Sequence, residues 1–350
     1  MHHYRHIDRS VVQFDFLLNE EPGSYYEEEA ASLGANIYYR PRRAKNPAGC
    51  QAALFQLLRH NPEIRVVHMH GETPIMALDA RTAKRAGVEV RMLHSRSAQQ
   101  QISLSRLIFR PWVYRYGTHL LACSTEAGAS LYGSKAAEAG RLILLPNARP
   151  LSPFFFDENM RMNIRREMDV EGRLVLTNVG RLNRWKNQLF LLDIMAELRL
   201  KHPEAILLVA GMGEMEGALR EKITALKLQD NVRLLGRCDR VNDLLQASDI
   251  FMLPSLIEGL PGSAIEAQAS GLPCLLGDGI TRECAITPHV EFLSIDRGPD
   301  VWVQKILAQQ EELPSRDTKQ LMMESGYDIG PAAGNLQQMY LSAVKSTKQG

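Results

Sequence analysis

The chain has 350 residues, 45% of them hydrophobic and 23% charged, with 41 Lys/Arg against 40 Asp/Glu. That length calls for two domains with sizeable cores, and the composition excludes disordered and collagen-like classes. The cysteines Cys50, Cys123, Cys238, Cys274 and Cys284 are odd in number and lack CxxC pairing, which excludes a disulfide framework or a zinc site and points to reduced thiols.

No apolar run reaches the roughly 18 residues of a membrane span. The opening MHHYRHIDRS lacks the apolar stretch of a signal peptide, so a cytoplasmic protein is expected. Charge is uneven: residues 1–150 carry 19 Lys/Arg and 13 Asp/Glu, whereas residues 151–350 carry 22 and 27. A basic first half that meets something anionic, or ordinary solvated faces, both fit this asymmetry.

In chain order, β-branched apolar runs predict strands at Val11–Leu18, Asn36–Tyr39, Val66–His70, Val88–His94, Leu120–Ser124 and Leu142–Pro146. Helical periodicity falls between them, as at Cys50–Arg59 and Pro74–Ala86. The run ARPLSPFFFDEN breaks the pattern near Asn147–Arg173. A second strand series follows at Leu174–Gly180, Ile206–Gly211, Val232–Leu235, Ile250–Pro254, Cys274–Gly277 and Phe292–Ile295. Strands alternating with helices predict parallel sheets covered on both faces, and the pattern occurs twice. The expected fold is therefore α/β with two Rossmann-like domains facing a cleft. Residues 1–150 form the first domain, 151–315 the second, and 316–350 a C-terminal helix packing back toward the first. Ligands of such sheets sit beyond the carboxyl ends of strands.

After RLVLTNVG comes Arg181-Leu-Asn-Arg-Trp-Lys186-Asn-Gln, running into a helix with Leu189, Phe190, Ile194, Met195 and Leu198 at helical spacing. Cations at a strand end beside a helix N-terminus can neutralise a diphosphate; two solvated loop cations are the other reading. After DIFMLP, Glu258 sits in a glycine-rich turn and Glu266 about one turn into the next helix, with Pro261 near its start and Gly271 at its end. Backbone amides from Gly259 to Ser263 can approach a ligand there because glycine leaves room; a helix with a solvated Glu is the bland alternative.

The turn Gly211-Met-Gly213-Glu-Met-Glu-Gly217 imitates a dinucleotide fingerprint. Its third glycine is one place late, and NVRLLG ends without an acidic ribose ligand, which excludes an NAD dehydrogenase. His70, in VVHMHG, is either a cleft residue or a strand-end histidine. The run from Arg106 to Tyr116 mixes cations with aromatics and reads as a membrane-surface helix or a core-facing one. Arg40-Pro-Arg-Arg-Ala-Lys45 reads as a solvated loop, with contact to a lipid-linked acceptor as the second reading.

GRLNRWKNQ, then E-x7-E as EGLPGSAIE, then AQASGLPCL together resemble the glycosyl transferases group 1 family, the glycogen-synthase-like retaining GT-B enzymes, and in particular members that build bacterial capsular polysaccharides and exopolysaccharides. The resemblance runs from about Tyr4 to Tyr340 through YRHIDRSVVQFDF, His94-Ser, ACSTEAG, LPNA and YDI…L…MY. It implies that Arg181 and Lys186 bind the donor diphosphate and stabilise it as it leaves. Glu266 would then hold the ribose hydroxyls and Glu258 the sugar hydroxyls. Gly259, Leu260, Pro261, Gly262 and Ser263 would supply the turn around sugar and phosphate, with Gly180 at the strand end and Gly213 near the base. His94 matches a family position at the donor sugar, although the family's HSHN is here His94-Ser-Arg-Ser.

The implied reaction is transfer of a hexose or N-acetylhexosamine from a UDP-sugar (a GDP-sugar second) to a glycan or polyprenyl-linked acceptor, with retention by front-face attack. No D-x-D occurs, so no metal or other cofactor is expected. No nucleic acid partner is expected, and membrane contact would be peripheral, on the inner face, through the basic first domain. A sugar-nucleotide epimerase and a non-catalytic sugar-nucleotide-binding subunit are the competing classes. The resemblance also implies an apolar strand and glycine-rich loop ahead of the YRHID helix. Without them, the first domain is expected to carry a gap or a makeshift pairing at the centre of its sheet.

Overall fold

The computed structural model describes residues 1–19, 23, 25–96, 104–134, 136, 140–312 and 315–347, with the side chains of 104–106 and 311–312 excepted. The chain divides into two units, Met1–Pro150 with Asp328–Gly350, and Leu151–Tyr327. Residues 316–327 stay with the second unit, and the chain returns to the first at Asp328.

In the first unit α1 (His2–His6) precedes β1 (Phe16–Leu18), α2 (Glu27–Ser32) and β2 (Ile37–Tyr39). Then come α3 (Pro47–His60), β3 (Val66–Gly71), α4 (Ala77–Ala86), β4 (Val90–Ser95), α5 (Leu104–Tyr116), β5 (His119–Ala122), α6 (Thr125–Tyr132) and β6 (Leu142–Leu144). Local chemistry sets these boundaries. Asn46 caps α3 by accepting from Gly49 N at 2.8 Å, and Ser124 caps α6 by accepting from Ala127 N at 3.0 Å. Gly87, at φ +97°, ends α4 in the left-handed conformation.

All strand pairs are parallel, but the described strands form two sheets, β1-β2 and β3-β4-β5-β6. Of the expected strand Val11–Leu18 only Phe16–Leu18 pairs, because Asp8 O accepts from Val11 N and Val12 N and turns the preceding residues. An aromatic cluster of Tyr4, Phe14, Phe16 and Tyr340 packs in this region, with ring centroids 5.3–6.4 Å apart.

The second unit runs α7 (Glu158–Glu167), β7 (Val175–Val179), α8 (Gln188–Leu198), β8 (Ile206–Ala210), α9 (Glu216–Ala225), β9 (Val232–Gly236), α10 (Val241–Ala247), β10 (Ile250–Leu253), α11 (Gly262–Ala269), β11 (Cys274–Gly277), β12 (Val290–Leu293), α12 (Pro299–Glu312) and α13 (Lys319–Glu324). Its strands fall within two residues of their expected positions. They form one parallel sheet in the order β12-β11-β10-β7-β8-β9. Alternation sends successive side chains to opposite faces: Ile250 and Met252 join the core with Leu176 and Trp302, Phe251 and Leu253 that with Ile265 and Leu276. The last helix, α14 (Ile329–Ser346), belongs to the first unit and packs Tyr340 into it. All five cysteines are free thiols. No helix among the described residues is long and apolar enough to cross a membrane.

Candidate functional site

The strand order of the second unit fixes where a site can form. Chain progress runs outward from β7 through β8 to β9 on one side, and from β10 through β11 to β12 on the other. The reversal lies between the neighbours β7 and β10, and the crevice beyond their carboxyl ends is the switch point where open α/β sheets bind ligands. The Arg181–Lys186 loop follows β7, and the Glu258 turn follows β10.

These two loops meet. Lys186 Nζ lies 2.5 Å from Glu258 Oε1, with the two side chains 17% and 21% exposed. Ser255 Oγ donates to Glu258 Oε2 at 3.1 Å, and Leu256 N donates to Trp185 O at 2.8 Å. Asn183 Oδ1 accepts from Trp185 N and Lys186 N at 3.1 and 2.9 Å, a side-chain turn that aims Lys186. On the far side, Glu258 N donates to Gly279 O and Thr281 N donates to Glu258 O, each at 3.2 Å. Lys186 is thus no solvated loop cation. Arg181 is different: its side chain is 74% exposed, with Glu214 Oε2 3.8 Å from Nη2.

The turn after β8 closes against the same loop. Leu182 N donates to Met212 O at 3.0 Å and Met215 N to Leu182 O at 3.1 Å. A Cβ on Gly213 would lie 2.1 Å from Leu182 O, and one on Gly211 1.9 Å from the carbonyl oxygen of Gly180. Those glycines are therefore required by backbone contact. Helix α11 starts at Gly262 with Pro261 at the N-cap. Proline has no side-chain acceptor for capping, so the first-turn amides at Gly262 and Ser263 have no side-chain cap. Gly259 and Leu260 bridge Glu258 to that helix start. Glu266 lies one turn in and is half-buried.

His94 belongs to the first unit. It is the penultimate residue of β4, fully buried, in register with His70 on β3. His68 Nε2 stands 3.2 Å from His94 Nδ1, and His68 Nδ1 is 2.6 Å from Tyr340 Oη. Burial, then the nearby charges of His70, Arg96 and His3, lower the pKa of His94 to about 2, so its ring is neutral. Ser97, expected beside it, lies outside the described residues.

Aromatic residues of α5 face the core: Val113 is fully buried, and Trp112, Tyr114 and Tyr116 pack against the cluster that holds Leu93 and Leu131, while Leu107 and Ile108 of the same helix are exposed. In the Arg40–Lys45 run Pro41, Arg42, Ala44 and Lys45 are exposed as a solvated loop would have them, but the Arg40 side chain is 10% exposed and ion-paired with Asp79. Sequence reasoning also missed Asn183, Ser255 and Gly279. Asparagine three residues before Lys186 was the readable signal for the first; the other two depend on contacts between distant segments.

The profile of the Glycosyl transferases group 1 family matches residues 160–309. The chain is 33% identical over 353 residues to the putative glycosyltransferase EpsF of Bacillus subtilis, covering 97% of this chain and 91% of that protein. The capsular polysaccharide biosynthesis glycosyltransferase CapH of Staphylococcus aureus is 22% identical over 333 residues, 90% and 86% of the two chains. Among solved structures, Anabaena Alr3699/HepE in complex with UDP superposes with a TM-score of 0.75 at 14% identity, covering 94% and 92% of the chains. The lipopolysaccharide outer core galactosyltransferase WaaB superposes with a TM-score of 0.65 at 17% identity, covering 94% and 88%. Two Rossmann-like units of this kind define the GT-B fold. The chain belongs to the Glycosyl transferases group 1 family.

Proposed function

We propose that this glycosyltransferase is a retaining, metal-independent enzyme of polysaccharide synthesis. It transfers a hexose or N-acetylhexosamine from a UDP-sugar to a glycan or polyprenyl-linked acceptor. The observation that carries this reading is the Lys186–Glu258 pair at the switch point of the second unit, where a cation fixed by an Asx turn meets the carboxylate of a glycine turn. Lys186 and the exposed Arg181 neutralise the diphosphate as charge develops on it, the task a divalent cation performs elsewhere. Glu258 accepts hydrogen bonds from sugar hydroxyls, Glu266 from the ribose, and the uncapped amides of Gly262 and Ser263 take sugar or phosphate oxygens. Gly180 and Gly213 keep the loop backbones close.

In the step itself, the bond from the anomeric carbon to the phosphate oxygen breaks and a bond to the acceptor oxygen forms on the same face. The acceptor's proton goes to the leaving diphosphate. The likeness to CapH, a capsular polysaccharide biosynthesis glycosyltransferase, supports a polysaccharide product. A UDP complex of HepE and a galactosyltransferase acting on GlcNAc-diphosphoundecaprenol, 27% identical over 178 residues, support the donor and the lipid-linked acceptor. Exposed Leu107 and Ile108 on α5 fit peripheral membrane contact. The test is incubation with UDP-sugars and a lipid-linked acceptor in excess EDTA, with the product's anomeric proton read by NMR. The expected product keeps the donor's anomeric configuration. Free isomerised sugar nucleotide without acceptor would instead identify an epimerase, and donor binding with neither transfer nor hydrolysis a binding subunit.

A further inference from the structure

The loop after β2 gathers charge that the donor site does not use. Arg40 N continues the strand pairing to Leu18 O at 2.9 Å, and Lys45 N and Asn46 N both close on Arg42 O at 3.0 Å, so the loop is tied at both ends. Within it, Arg40 Nη2 and Arg43 Nη2 reach the same oxygen of Asp79, at 3.0 and 2.7 Å. Gln51 Nε2 donates to the other oxygen at 2.7 Å, and Arg40 Nε donates to Asn19 Oδ1 at 2.6 Å. Burial raises the Asp79 pKa, but the hydrogen bond from Arg40 and the charges of both arginines outweigh it and leave the carboxyl below its ordinary value.

One carboxylate thus serves two guanidinium groups in a cluster where Arg40 is 10%, Arg43 28% and Asp79 8% exposed. Arg40 Nη1 and Arg43 Nε are shut from solvent and have no hydrogen-bond partner among the described residues. Those two groups are enclosed by protein, so a ligand beside the cluster would meet the exposed parts of Arg42 and Arg43. A cavity of about 320 Å³ opens beside the cluster, lined by Arg40, Arg42 and Arg43 with Asn19, His70 and Thr73. Asp79 is the one carboxylate among its described lining residues. Its volume is at the lower end of small-molecule sites, about 300–1,000 Å³. His70 and Gly71 place the cavity at the carboxyl end of β3, the side where parallel sheets bind ligands.

We infer that this pocket binds the phosphate or diphosphate group of the acceptor, with Arg40, Arg42 and Arg43 as ligands and Asp79 as the carboxylate that organises them. Planar guanidinium forks match phosphate oxygens bidentately, which lysines do not. The inference deepens the reading above, and the word acceptor rests on it.

The experiment is calorimetric titration of the full chain with farnesyl diphosphate, farnesol, inorganic pyrophosphate and UDP. It is run on the native protein and on Arg43→Gln, Arg42→Gln and Lys186→Ala. Farnesyl diphosphate and pyrophosphate should bind the native chain, and each arginine variant should weaken both on the order of 10- to 100-fold, the contribution of a charge-assisted hydrogen bond. Stronger binding of farnesyl diphosphate than of pyrophosphate assigns the pocket to a lipid-linked source, and equal binding assigns it to the phosphate group alone. UDP affinity should fall in Lys186→Ala and hold in the arginine variants. Arg42 is exposed, so its variant keeps the test valid if Arg43→Gln folds poorly. Unchanged farnesyl diphosphate affinity in both arginine variants, equal binding of farnesol, or loss of pyrophosphate binding in Lys186→Ala each overturns the pocket while leaving the donor reading intact. Failure of the native chain to bind UDP overturns the donor reading and leaves the pocket to its own titrations.

Discussion

Replacing Lys186 by methionine keeps most of the side-chain bulk and removes the charge that faces Glu258 at 2.5 Å. At an effective dielectric constant near 20 the attraction at that distance is about 6–7 kcal/mol before desolvation is subtracted, so the net effect is far smaller. Glu258 would retain the Ser255 hydroxyl at 3.1 Å while remaining about four-fifths buried. An under-satisfied group of that kind costs about 1–3 kcal/mol. In a unit of this size that lowers the melting temperature by about 2–4 °C per kcal/mol, so by roughly 2–12 °C. Turnover should fall far more, about 100- to 1,000-fold, because the cation acts on charge that appears in the transition state. The double variant Lys186→Met/Glu258→Gln separates the two effects. Without an unpaired carboxylate its melting temperature should recover most of the loss, while UDP release from the donor stays low. Calorimetry and a UDP-release assay on the native, single and double variants measure both. Turnover that recovers together with stability would refute the reasoning and make the pair purely structural.

Arg181→Ala removes a side chain 74% exposed, so melting should hold within about 0.5 kcal/mol, as for other surface changes, while turnover drops; near-native turnover would refute the phosphate role. Glu266→Ala should weaken UDP binding on the order of 10- to 100-fold with little change in kcat, and unchanged affinity would contradict the ribose assignment. Gly213→Ala places a Cβ 2.1 Å from Leu182 O, so the turn must shift, costing about 1–3 kcal/mol and raising the UDP dissociation constant; a neutral variant would show that the loops are not held that closely. Burial holds His94 near 2, against about 6.5 unfolded, so below pH 6.5 the unfolded chain binds the extra proton. Stability is therefore full above pH 6.5 and falls as pH drops toward 2, by up to about 1.4 kcal/mol per pH unit. Melting temperature should decline from pH 7 to 5, less steeply in His94→Leu, and equal slopes would contradict the buried neutral ring.

The second unit was legible because β8, β10 and β11 are fully buried apolar runs. Leu174–Gly180 and Ile250–Pro254 each announced a loop, and the loops' convergence follows from strand order alone. The first unit was less readable. A valine-rich start hid the Asp8 turn that shortens β1, since local hydrogen bonding overrode β propensity there. The Arg40–Lys45 run looked like a solvated loop because its partner Asp79 lies far along the chain, inside α4. Sequence spacing ruled against a dinucleotide turn at Gly211–Gly217, but could not reveal that Lys186 and Glu258, 72 residues apart, form a pair, nor that Gly211 and Gly213 are close backbone approaches.

The central claim is that the crevice loops of the second unit bind a nucleotide-sugar. A thermal-shift panel of UDP-, GDP- and ADP-sugars on the native chain, Lys186→Met and Glu266→Ala tests it most directly. At about 100 times its dissociation constant a ligand of the native state adds about 2.7 kcal/mol, or roughly 5–11 °C in a unit of this size. UDP-sugars should raise the native melting temperature by that amount and do much less for Glu266→Ala, whose carboxylate is assigned to the ribose. A panel with no shift, or equal shifts in all three proteins, would contradict the account.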